Sequence, residues 1–127
     1  MNDERKTKEF NIDRRALAYA VRAIKVVRFL EGKRDSASQV IARQFLRSAT
    51  AVGANLSEAQ SAATRRDFVH KCTISLKEVR ECFYWLRLLV AAELIEERRL
   101  TELMNETDEL IAFLTTIIKR AKRPLAA

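Results

Sequence analysis

A chain of 127 residues, 48% of them apolar, can fill one hydrophobic core and has no length for a second. Two glycines and a single proline cannot supply the tight turns of β-sandwiches or α/β folds, which leaves helices joined by short connections. The net charge of +7 suits a polyanionic partner, and no apolar run approaches the ~18 residues of a membrane span.

The stretch from Met1 to Lys6 offers neither an apolar run nor a small-residue cleavage site, so no secretory signal is expected and the chain is expected in the cytoplasm. It reads as one domain over residues 1–127, with the charged residues 1–10 and the last residues, 124–127, expected to be flexible. The first helix is predicted from about Asp13 to Glu31, with Gly32 as its stop. Leu17, Ala20, Val21, Ile24 and Val27 recur at helical spacing as its core stripe, which leaves Tyr19, Val26 and Phe29 on the other side. A monomeric bundle helix should be polar there. Residues 1–34 carry ten basic against five acidic side chains, so the positive excess sits mainly on this helix. Arg14, Arg15, Arg22, Lys25, Arg28, Lys33 and Arg34 are the candidate phosphate contacts.

The second helix is predicted to begin near Ser36, in a cluster of capping residues. Ile41, Phe45, Ser48, Val52, Leu56, Ala59 and Ala63 form its stripe, and its charges are almost confined to Arg43, Arg47 and Glu58. Gly53 in mid-helix costs about 1 kcal/mol relative to alanine, which points to close approach of a neighbouring backbone. The third helix starts at Thr64, a capping residue, with Asp67 at the positive end of the dipole. Phe68, Cys72, Leu76, Val79, Phe83, Leu86 and Val90 follow one face; Ile74, Trp85 and Leu88 follow another. Cys72 and Cys82 lie about 15 Å apart along this helix, too far to bridge, and read as small buried hydrophobes. The fourth helix is predicted from about Glu96 to Lys122, before Pro124, with Leu100, Leu103, Met104, Thr107, Leu110, Ile111, Leu114 and Ile118 on one stripe. Its acids come early and Lys119, Arg120, Lys122 and Arg123 come late, as the dipole favours.

Connections near residues 32–35, 61–64 and 92–96 are short, so the expected fold is all-α, an antiparallel up-down-up-down four-helix bundle. Tyr19, Val26, Phe29, Trp85 and Leu88 form apolar surface beyond the needs of one core and are the candidate interface between copies.

Catalysis has few parts to draw on. His70 is the one imidazole, and it points roughly 200° around the helix from Cys72. Carboxylate-bridged metal bundles need Glu-x-x-His pairs, which are absent here, so no metal, cofactor or enzymatic activity is expected. Arg47, Asn55, Glu58, Lys77, Glu78 and Glu81 read instead as a structural polar network between the second and third helices.

The run from Gln44 to Gln60, containing Arg47-Ser-Ala-x-x-x-Gly-Ala-Asn-x-x-Glu-Ala, resembles a bacterial four-helix-bundle family whose namesakes are encoded in intervening sequences of 23S ribosomal RNA genes. Asp67-Phe and Ile74-Ser-Leu-Lys-Glu-Val-Arg-Glu81 extend the resemblance into the third helix. It implies a cytoplasmic homopentamer with no known catalytic activity. A related branch, the accessory proteins of diversity-generating retroelements, is similar in fold and implies a reverse transcriptase and nucleic acid as partners. Three readings follow: an oligomer that binds RNA or DNA, a protein-binding scaffold, and a self-assembling passenger with no partner but itself.

Overall fold

In the computed structural model the described backbone covers residues 2–123 and the described side chains begin at Ile12. The expectation for residues 124–127 falls outside the described residues. Four helices account for most of this span: α1 (Asn2–Glu31), α2 (Ser36–Gln60), α3 (Arg65–Ala91) and α4 (Glu97–Lys122). No described helix is long and apolar enough to cross a membrane.

Local chemistry sets most of the boundaries. The Asp35 carboxylate accepts from the Ser38 hydroxyl at 2.9 Å and from the Ser38 backbone N–H at 3.2 Å, which caps α2. These Ser38 bonds hold the Asp35 carboxyl below its ordinary range. Thr64 Oγ1 accepts from the Asp67 N–H at 3.1 Å and starts α3 as the sequence signals. At the far end of α3 the Leu94 N–H reaches Leu89 O and the Glu93 N–H reaches Val90 O, both at 3.0 Å. This Schellman arrangement places Glu93 at φ 58, a left-handed position normally given to glycine. Gly32, expected to stop α1 by the same device, follows its last turn without a positive φ. The start of α1 also differs from expectation: the helix begins at Asn2, well before Asp13. No glycine or proline interrupts residues 2–31.

Helices adjacent in sequence are adjacent in space, α1 also meets α4, and no diagonal pair packs directly among the described residues. The α1–α4 contact is the sparsest of the four. Phe45, Ala49, Val52 and Leu56 of α2, Val79, Cys82 and Leu86 of α3, and Leu103, Leu110 and Leu114 of α4 fill the core.

Of the five residues predicted for the buried stripe of α1, only Val27 is buried. Ile12, Ala16, Tyr19, Ala23, Val27 and Leu30 are buried, while Leu17 is 69%, Val21 47% and Ile24 37% exposed. The cause is close packing against α2. A Cβ built on Gly53 would lie 3.6 Å from Ala16 Cβ, so small residues occupy the α1 positions nearest that helix. The larger aliphatic side chains are left outside.

Candidate nucleic-acid and assembly surfaces

The cations singled out on and just after α1 divide into two sets. Arg15 turns to α4, where its guanidinium donates to Glu106 through Nε and Nη2, each at 2.9 Å, pairs with Glu109, and lies 4.7 Å over the Phe113 ring. Bonding to Glu106 raises the Arg15 pKa above its ordinary value. Arg22 approaches Glu102 at 3.8 Å. Lys33 donates to Leu94 O at 2.6 Å and lies 5.3 Å over the Phe29 ring. Arg15 therefore closes the sparse α1–α4 seam, Arg22 adds only a long, exposed pair to it, and Lys33 ties the chain just past α1 to the α3–α4 connection. Arg14, Lys25, Arg28 and Arg34 are exposed, and Lys25, Arg28 and Arg34 make no ion pair or hydrogen bond among the described residues.

The candidate interface residues also separate. Tyr19 belongs to the core, not to an outer patch, and Val26 packs partly buried against that core. Phe29 is exposed at the end of α1 but covered by cations, with Arg99 at 5.1 Å and Lys33 on its ring. Trp85 and Leu88 are half-buried, and Trp85 Nε1 donates to Glu81 at 3.2 Å. In place of the expected patch, Leu17, Val21 and Ile24 form an exposed apolar row on the outer side of α1, spaced four and three residues apart.

The polar residues between α2 and α3 form two small clusters instead of one network. Arg47 joins Glu78 at 3.4 Å and also bonds Glu81. Glu58 pairs with Lys71 at 2.5 Å, and Asn55 donates to Ala51 O at 2.8 Å within its own helix. Lys77 is exposed and takes no part. Among the described residues, no three His, Cys, Asp or Glu side chains converge on one point, so Glu58 does not join Glu78 and Glu81.

A polar layer in the core carries one residue from each helix, which the sequence reading did not single out as a unit. Tyr19 Oη and Thr107 Oγ1 lie 2.7 Å apart, and Thr107 also donates to Leu103 O at 2.7 Å. Cys82 Sγ donates to Ser48 Oγ at 3.3 Å, and that hydroxyl donates to Phe45 O at 3.0 Å. Tyr19 and Cys82 also interact, which joins the two pairs. Every described buried side-chain nitrogen and oxygen has a hydrogen-bond partner. Burial pushes the Cys82 thiol up to about 11 and raises the Tyr19 phenol well above its ordinary value. A thiol held protonated is a poor nucleophile.

The model of the 23S rRNA-intervening sequence protein family matches residues 8–116. Among solved structures, a protein of unknown function from the S23 ribosomal protein family of Bacteroides thetaiotaomicron is similar, with 37% identity and a TM-score of 0.81. The likeness covers 88% of this chain and 98% of that one. No curated protein matches the chain.

Proposed function

The chain belongs to the 23S rRNA-intervening sequence protein family, and from that premise we propose that it is a non-enzymatic, cytoplasmic bundle that assembles with copies of itself and binds RNA or DNA through phosphate contacts. One observation carries the nucleic-acid part. The chain holds a net charge of +7, and Lys77, Arg80 and Arg87 on α3, like Lys25, Arg28 and Arg34 on and just after α1, stand exposed without an acidic partner among the described residues. Unmatched cations on a soluble surface repel one another and release that repulsion on meeting a polyanion.

Self-association rests on the row of Leu17, Val21 and Ile24, which a monomer would leave in water. Five copies is the stoichiometry the family resemblance implies. The up-down-up-down order of the helices is part of the same reading. Ser48 meets Cys82, Val52 meets Ser75 and Glu58 meets Lys71, so numbers rise along α2 as they fall along α3. Arg15 with Glu106 and Arg22 with Glu102 run in the same opposed sense between α1 and α4.

Fluorescence anisotropy of a labelled 30-nucleotide RNA tests the binding. Affinity is expected to fall linearly with the logarithm of salt concentration, at a slope of roughly −0.7 for each phosphate contact on a single strand. An affinity that does not change between low and moderate salt would remove the proposal.

A further inference from the structure

The exposed cations of α1 share its outer side with Leu17, Val21 and Ile24. At ~100° per residue, Arg14, Lys25 and Arg28 project within roughly 60° of Val21. Assembly through that apolar row would cover or crowd them. A second basic surface has no such competitor. Arg66, His70, Thr73, Lys77, Arg80, Tyr84 and Arg87 recur along α3 at alternating spacings of four and three, which keeps them in a single outward row. All but Thr73 are exposed. The row is about 31 Å long at ~1.5 Å per residue.

Arg66, Lys77, Arg80 and Arg87 make no ion pair or hydrogen bond among the described residues. The acids of the helix lie off the row, Asp67, Glu78 and Glu81 being roughly 70–130° around it. Glu78 and Glu81 are moreover engaged by Arg47. Tyr84 stands between Arg80 and Arg87, 56% exposed. Its ring meets Trp85 edge-on, at 5.2 Å between centroids and 71° between planes, and Trp85 is itself tied to Glu81. The exposed ring is thus held from behind by a partly buried indole.

We propose that this row on α3 is the nucleic-acid surface, and that its ligand is a single strand: Lys77, Arg80 and Arg87 contact successive phosphates while an unpaired base stacks on Tyr84. The inference rests on the nucleic-acid reading above and adds where the strand lies and which form is preferred. Cations alone would serve a duplex equally well. An aromatic face set among them favours a strand whose bases are open for stacking.

The test uses the full chain with a labelled 20-nucleotide RNA and its duplex. Replacing Lys77, Arg80 and Arg87 together by Gln is expected to weaken single-strand binding at least tenfold and to reduce the salt slope by about 2. Tyr84→Ala is expected to weaken single-strand binding roughly 5- to 100-fold and leave duplex binding unchanged, while Tyr84→Phe retains both. A control variant replaces Lys25, Arg28 and Arg34 by Gln, and helical circular dichroism of every variant should match the parent. If the control loses binding while the α3 variant keeps it, the α3 assignment is overturned and the nucleic-acid reading stands. If the parent protein binds neither RNA at low salt, both fall. If the α3 variant dissociates by light scattering, the row is a contact between copies and the proposal is wrong. If Tyr84→Ala weakens duplex and single strand equally, the stacking role is wrong.

Discussion

Tyr19 and Thr107 meet hydroxyl to hydroxyl at 2.7 Å inside the bundle, across the helix pair that otherwise packs most sparsely. Both residues are fully buried, so neither hydroxyl can turn to water when its partner is removed. Tyr19→Phe removes one bond and leaves Thr107 bonded to Leu103 O, at an expected cost of about 1 kcal/mol. Thr107→Val leaves the phenol hydroxyl with only the Cys82 thiol and should cost more, roughly 1–3 kcal/mol. Urea unfolding of the two variants checks the order; equal costs would mean that the pair does not couple α1 to α4.

The same layer makes stability fall in alkali. Burial raises the Cys82 pKa from the ordinary 9.0 to about 11, and raises Tyr19 above its ordinary 10.0. Above pH 9 the unfolded chain therefore releases a proton that the folded chain keeps, and the unfolded state binds fewer protons. Stability is fully present below pH 9 and is lost as pH rises from there toward 11, by up to about 1.4 kcal/mol per pH unit from Cys82. Tyr19 adds to the loss above pH 10. Urea midpoints measured from pH 7 to pH 10 should hold level and then drop. Cys82→Ala should flatten the drop between pH 9 and 10.

Glu93 offers a stabilising substitution. Its φ of 58 costs an L-residue about 1 kcal/mol, and its side chain is exposed. Glycine takes this conformation without strain but adds freedom to the unfolded chain, so Glu93→Gly is expected to gain about 0.5–1 kcal/mol. Thermal unfolding should move upward by a few degrees. Glu93→Ala keeps the Cβ and should not share the gain.

How far the sequence could be read varies by helix. The starts of α2 and α3 follow from capping chemistry within three or four residues, and Asp35 and Thr64 carry it out as their spacing suggests. The face of α1 was misread because its inner row is built from Ala16 and Ala23, small residues that carry little periodic signal but allow α2 to come close. Leu17, Val21 and Ile24 are more hydrophobic and lie outside. The basic row of α3 was hidden by addition. Residues 63–93 hold six basic and four acidic side chains, nearly balanced in sum, yet Asp67, Glu78 and Glu81 lie on other faces of the helix and Glu93 lies beyond its end. A helical count of exposed charge, in place of a segment total, would have found it.

The outer row of α1 makes its own claim. Replacing Leu17, Val21 and Ile24 together by Gln removes the apolar row without entering the core. The variant is expected to retain the helical circular dichroism of the parent and to elute later in size exclusion. An unchanged elution volume would place the contact between copies elsewhere.

The most direct test of the whole reading is size exclusion with light scattering of the parent protein mixed with a single-stranded RNA, using absorbance and refractive index to separate protein mass from nucleic-acid mass. The expected result is a protein mass several times the 14.6 kDa of one chain, five times by the family resemblance, with RNA co-eluting at low salt and released as salt is raised. A protein mass of one chain with no RNA in the peak would contradict both the assembly and the binding.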